Sequence, residues 1–263
     1  MLTKKHPGDR NRAMDRSRTQ TIREFILDQA AMNPMGLARR IAEAYGISRQ
    51  AANRHLDLLV EAGLLEESGR TRARAYQLRR TSSLSREVRV TPVLNPDRVW
   101  EDHIAPVLAS DRPSVRDLCH GAFNELVRSA MEREGASWIQ FSFASDARDI
   151  DLAIIDDGAA LFDTLQKPLG AASVHEAATM LANLANARVS DSPVARLVLL
   201  ARNFQFFTIR SSGVELAFSQ DTGAWTVSDD DSPRKGTTVA FQLRRPAVSA
   251  ARAATRRGAA VTR

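Results

Sequence analysis

Apolar residues in the first third of the chain recur at helical spacing. Ile22, Phe25, Ile26, Ala30 and Met32 line one face of a helix that starts near Thr21 and stops at Asn33-Pro34, because steps of three and four residues return side chains to the same side of a turn. Leu37, Ile41 and Ala44 do the same for a second helix over 36–45, and Gly46 is placed to end it in a left-handed conformation. Ser48 then stands where a helix N-cap is needed, ahead of a third helix with Ala51, Leu56, Leu59 and Val60 inward. Leu64-Leu65 opens a strand, Gly69 to Arg74 forms a basic hairpin tip, and Tyr76 and Leu78 lie on the return.

Past residue 80 the periodicity changes. Residues 81–96, with Pro92 and Pro96, read as a linker holding one short strand around Val88 and Val90. The stretches 99–108 and 115–133 are helical in pattern, whereas Ile139, Phe141 and Phe143, then Ile150, Leu152 and Ile154, alternate with the period of two that strands need. Helical pattern returns at 160–166 and 173–186, and strand pattern at 205–210, 214–218 and 238–243. Helices on one face of a mixed sheet would bury both sets of apolar positions. The expected class is therefore α+β, with a helical head over 20–80 and a two-layer sandwich over 97–245.

Charge sharpens that division. Residues 1–90 carry 18 basic against 10 acidic side chains, a net +8, while residues 91–245 carry 15 against 21, a net −6. A basic head on an acidic body points to an anionic partner for the head alone. Residues 1–19 read as a disordered basic arm, and 246–263, with Arg252, Arg256, Arg257 and Arg263 and no acid, as a disordered basic tail. No apolar run reaches the length of a membrane span, and the charged N-terminus lacks a signal-peptide core, so a cytoplasmic protein without a membrane partner is expected. Cys119 is the one cysteine and reads as a buried structural thiol; the five histidines have no metal-ligand spacing.

The chemistry of the head fits double-stranded DNA. Ser48, Arg49, Gln50, Asn53 and Arg54 cluster at the start of the third helix, where Arg can donate two bonds to guanine and Gln or Asn can pair with adenine. Arg70, Arg72 and Arg74 alternate along the hairpin and suit phosphate contacts. A solvated basic hairpin in a protein-interaction module, such as an antitoxin or anti-sigma-like adaptor, is the competing reading. Three helices and a basic hairpin in this order resemble the winged helix-turn-helix domains of bacterial transcription regulators, including the MarR and ArsR groups. That resemblance implies docking of the third helix in the major groove and, often, a homodimer on two half-sites; no heptad seam is visible.

A second resemblance covers 97–243. The helix Glu125-Leu126-Val127-Arg128-Ser129-Ala130, the segment Ile155-Asp156-Asp157-Gly158-Ala159-Ala160 and the closing Gly236-Thr237-Thr238-Val239 look like the histidine-kinase-type ATPase fold, the GHKL or Bergerat group. The resemblance implies an ATP and Mg²⁺ site in which Glu125 is the candidate general base, position 129 ligates magnesium, Asp156 accepts the adenine amino group, Gly158 admits the base and Thr237 closes the pocket. Several positions depart from that pattern. Ser129 stands where the family has Asn, Ala160 replaces the second glycine, and the lid region Asp191-Ser192-Pro193-Val194-Ala195-Arg196 contains no glycine to present backbone N–H groups to phosphates. No phosphoacceptor histidine region precedes the fold. The expected role is a DNA-binding regulator whose degenerate ATPase-like domain serves as a sensor or protein-interaction platform, with an active ATPase or kinase as the alternative.

Overall fold

The computed structural model describes residues 7–70, 73–187, 193–231 and 235–245, and side chains within 18–70, 73–184, 196–231 and 235–245. The described residues divide into two compact units: one runs from Pro7 to Thr81, the other holds Ser82–Ser145 and Asp149–Arg244, with the short piece Asp146–Arg148 and Arg245 grouped with the first.

In the first unit, helices α1 (Pro7–Met32), α2 (Leu37–Tyr45) and α3 (Arg49–Glu61) precede a hairpin of β1 (Leu65–Ser68) and β2 (Ala75–Leu78). Ile22, Ile26 and Ala30 of α1, Leu37 and Ile41 of α2, Ala52, Leu56 and Leu59 of α3, and Leu65 and Tyr76 of the hairpin form one core. The hairpin pairs Leu65 with Leu78 and Ser68 with Ala75, and Met35 adds an isolated bridge to Ala75. Gly46 ends α2 at φ 61°, and the Ser48 hydroxyl accepts the Ala51 N–H at 3.1 Å. Three details differ from the pattern in the sequence. Met32 and Ala44 are exposed, and Ala52 takes the inward place expected of Ala51; spacings of four and three through 52, 56 and 59 follow the helical stripe, which residue 51 misses by about one-quarter turn. The segment expected as a disordered arm is helical from Pro7, where Arg, Ala and Met favour a helix without an apolar stripe and proline is tolerated in the first turn. Residues 1–6 and the tail 246–263 lie outside the described residues.

The second unit is built on one seven-stranded sheet. Its strands are β3 (Ser82–Arg89), β4 (Trp138–Ser145), β5 (Asp149–Asp156), β6 (Phe206–Ser211), β7 (Val214–Ser219), β8 (Ala224–Asp229) and β9 (Thr237–Arg244), in the spatial order β3-β4-β5-β9-β6-β7-β8. Helices α4 (Pro96–His103), α5 (Pro113–Met131), α6 (Leu161–Leu169), α7 (Val174–Ala187) and α8 (Pro193–Leu200) supply the second layer. Every neighbouring pair is antiparallel, so the expected mixed sheet is corrected to a wholly antiparallel one. The cause is the course of the chain: tight reversals join β4 to β5, β6 to β7 and β7 to β8, and β9 enters between β5 and β6 opposed to both.

Burial alternates along β4, β6, β7 and β9 and along β5 from Ile150 on. Ile139, Phe141 and Phe143 of β4, Ile150, Leu152 and Ile154 of β5, and Val239, Phe241 and Leu243 of β9 share one core with Phe123, Leu126 and Val127 of α5 and Leu181 of α7. Phe123 meets Phe141 edge-on at a centroid distance of 5.6 Å, and Phe204 stacks on Phe241 at 4.1 Å. Cys119 is buried in the same core. The segment expected as a linker contains β3, which pairs with β4 along its whole length from Ser82 opposite Ser145 to Arg89 opposite Trp138. Leu84 and Val88 reach the core side opposite Phe143 and Ile139, but Ser, Arg and Glu between them hide the alternation. β8 and α8 are further elements that apolar spacing alone does not announce.

Candidate functional site

Two groups of residues stand out, one on each unit. On α3, Arg49, Gln50, Asn53 and Arg54 are spaced one and four residues apart, which sets them on a common face. Arg49, Gln50 and Arg54 are exposed and Asn53 is half-buried. Among the described residues none of the four side chains makes a hydrogen bond or ion pair. Ser48 begins this face, but its hydroxyl is spent on the cap. His55, behind it, is pushed below its ordinary range by burial and by Arg54 and Arg23, and so adds no charge at neutral pH.

The hairpin cations divide. Arg70 is exposed at the end of the first strand. Arg74 is held by Glu67 at 2.6 Å and lies 5.8 Å from the centroid of the Tyr76 ring, so it braces the hairpin in place of the free phosphate contact expected of it. Arg72 lies outside the described residues.

On the second unit the fold gathers the residues of the suspected nucleotide site at the end of β5. Asp156 ends β5 and is 1% exposed, and the side chain of Arg133, just past α5, is 8% exposed. The two form a buried ion pair through Arg133 Nη1 and Asp156 Oδ2. Arg133 Nη2 also donates to Ser129 Oγ at 3.4 Å, and Asp156 Oδ1 accepts the Gly158 N–H at 3.1 Å. Burial raises the Asp156 carboxyl above its ordinary range, and Arg133 opposes that shift. Ser129, Asp156 and Gly158 are thus brought together around a guanidinium.

Arg133 was not among the residues singled out from the sequence. The available signal was its place one turn after Ser129 on the same helical pattern, but a single Arg there reads as a solvated position. A magnesium ion at Ser129 would sit beside this positive charge, and the carboxylate assigned to an adenine amino group is already committed.

Glycine at 158 has a packing reason here. A Cβ at that position would lie 2.8 Å from Cβ of Arg133 and 3.1 Å from that of Ala136, so the glycine admits the end of α5 as the resemblance would have it admit a base. Gly236 is equally constrained: its φ is +85°, and a Cβ would fall 1.9 Å from the Asp156 carbonyl oxygen. Next to it, the hydroxyls of Thr237 and Ser211 both accept the Leu161 N–H, at 3.1 and 2.7 Å. Ala160 at the N-cap of α6 offers no side-chain oxygen, and the two strand residues satisfy the orphan donor in its stead. Thr237 therefore faces a helix terminus. Ser211, 3% exposed, is a partner that the sequence reading missed.

Glu125, the candidate base, is paired with Arg196 at 3.3 Å. Of the lid region 191–196, Asp191 and Ser192 lie outside the described residues, and Pro193 to Arg196 open α8. Asp157, beside the buried pair, does separate work: it accepts N–H bonds from Ser137 at 2.7 Å and Trp138 at 3.1 Å and the Ser137 hydroxyl, which together hold its carboxyl down to about 2. It ties the turn before β4 to the end of β5. A cavity of about 290 Å³ opens at these strand ends; Ser211 and Gly236 contribute to its lining, while Ile155, Arg210 and Thr238 belong to the opposite face of the sheet from Asp156 and Thr237. The Arg210 guanidinium there is bound to Glu215.

No family model matches the chain, and no curated protein matches it. Among the described residues no helix is long and apolar enough to cross a membrane, and no cluster of His, Cys, Asp and Glu has the makings of a metal site.

Proposed function

We propose that this chain is a DNA-binding regulator of the winged helix-turn-helix kind whose second unit, similar to GHKL ATPases, acts as a sensor or protein-interaction platform and does not turn over nucleotide. The observation that carries the first half is the α3 face: Arg49, Gln50 and Arg54 are exposed and without internal partners, beside Asn53, in the basic head of the chain. Side chains kept out of internal pairs retain the donors that base edges require, and Arg70 extends the cationic surface toward phosphates. The second half rests on Arg133, which supplies from within the chain the positive hydrogen-bonding partner of Asp156. Hydrolysis would further need a base, and Glu125 is engaged by Arg196.

The test is binding of the full chain to genomic fragments, including its own upstream region, across a salt series with and without ATP and Mg²⁺. The expected result is fragment-selective binding that weakens steeply with salt and is unchanged by nucleotide. Binding indifferent to both sequence and salt would overturn the DNA assignment, and ATP hydrolysis lost on Glu125→Ala would overturn the inactive site.

A further inference from the structure

Among the described residues the outer edge of β3 has no strand partner, and this edge carries charges that complement themselves. Val90 N–H donates to Ser137 C=O at 2.9 Å, continuing the register in which Val88 faces Ile139. In an antiparallel pair alternate residues direct both backbone groups to the same neighbour. Even-numbered residues of β3 therefore bond to β4, and the N–H and C=O groups of Ser85, Glu87 and Arg89 point away from the sheet.

Glu87 and Arg89 sit on the half-exposed face opposite Gln140 and Trp138, and Val88 on the core face opposite Ile139. Both charged side chains are exposed, and among the described residues neither makes an ion pair or hydrogen bond.

We infer that β3 pairs antiparallel with β3 of a second copy of this chain about a two-fold axis at Val88. That register alone places Val88 against its own copy, Glu87 against Arg89 and Arg89 against Glu87, on matching faces of a continuous sheet. The outward backbone groups of 87 and 89 then exchange hydrogen bonds reciprocally, and each opposite-charge pair lies directly across the strands, where such pairs stabilise. A shift of two residues one way would set Glu87 against its own copy and Arg89 against Ser85, and the other way Arg89 against its own copy and Glu87 against Thr91, so the charges also fix the register. Proline and inward-pointing charge are common guards of an edge strand; β3 has no proline in its span, and its Arg86, opposite Phe141, donates to the Ser85 carbonyl at 2.9 Å, which centres the open backbone groups on Glu87 and Arg89. Thr91 accepts the Leu94 N–H and turns the chain away, which limits the contact to residues 85–91 and makes the dimer a weak, concentration-dependent one.

Sedimentation velocity of the full chain from micromolar to submillimolar concentration tests this. The expected species is twice the 29.0 kDa chain mass at the upper end. Glu87→Arg should return it to the monomer, as should Arg89→Glu, and the double exchange Glu87→Arg with Arg89→Glu should restore the dimer because each cross-strand pair is re-formed with its signs reversed. Glu87→Pro is the second probe: its N–H points outward, so the substitution removes no bond to β4 yet blocks the new strand. Circular dichroism of each variant checks that the sheet is intact. A wild-type chain that stays monomeric throughout overturns the inference, as does a dimer untouched by these substitutions. Neither result depends on whether DNA is bound.

Discussion

The α3 face and the end of β5 each collect polar side chains, and they treat them oppositely. On α3 Arg49, Gln50 and Arg54 are exposed and Asn53 half-buried, none with a hydrogen bond or ion pair among the described residues, whereas at β5 the Asp156 carboxylate, the Arg133 guanidinium and the hydroxyls of Ser129, Ser211 and Thr237 are bonded inside the fold, although Nε of Arg133 lacks a partner. A group held in reserve can meet a ligand at little cost. A group already bonded must first break a contact in a medium of low dielectric, where an unpaired charge is expensive. The difference is what separates a surface ready for an external partner from a site whose partner is part of the chain.

The strongest way to break this contrast is to remove the internal partner. Arg133→Ala should destabilise the second unit by about 3–5 kcal/mol, because it leaves Asp156 charged and buried; chemical denaturation measures this. Replacing both residues with apolar ones, Arg133→Met and Asp156→Leu, should recover most of the loss. If Arg133→Ala costs less than about 1 kcal/mol and the variant gains ATP affinity, the guanidinium was a removable plug and the contrast fails.

Next in size are the effects on DNA. Arg49→Ala or Gln50→Ala should cost about 1–3 kcal/mol on the preferred fragment and relax sequence choice, while Arg70→Ala should weaken all fragments alike and reduce the salt slope by about 1. Equal losses on every sequence from all three substitutions would remove α3 from the base-reading role. A smaller effect is expected at the α6 terminus, where Thr237→Val should cost about 1 kcal/mol because Ser211 still accepts the Leu161 N–H.

The mildest effect is in acid. The Asp157 carboxyl is depressed to about 2 from a model-peptide value of 3.8, so its contribution is complete above 3.8 and is lost as pH falls toward 2. Asp156 shifts upward and contributes with the opposite sign. The informative quantity is therefore the difference between wild type and Asp157→Asn, which should shrink across that window; a difference constant from pH 5 to 2 would show that the bonds to Ser137 and Trp138 do not set the titration.

Local rules in the sequence were enough for the caps and the stripes. Gly46 and Ser48 mark the boundaries of α2 and α3, and the alternation of Ile139, Phe141 and Phe143 marks a strand, because these signals act over four or five residues. The candidate site was legible in part: Ser129, Asp156 and Gly158 do come together. Its occupant was not, because Arg133 follows 23 positions before Asp156 in a pattern that equally suits a solvated helix end. The role of Ser211 depends on a helix 50 residues away in sequence, so no local pattern could disclose it.

By itself the sequence determined the periodicities, the caps, the basic head with its acidic body, and the supply of Arg, Gln and Asn side chains at the start of α3. Each of these follows from chemistry within a few residues or from simple charge. Tertiary structure alone decided that the sheet is antiparallel throughout, that Arg133 answers Asp156, that Glu67 engages Arg74, and that β3 lies at the edge of the described sheet with Glu87 and Arg89 exposed. These depend on which distant strand or helix arrives beside a given side chain. A charge is reserved or spent only once its neighbours are in place, since burial and partner together set its cost.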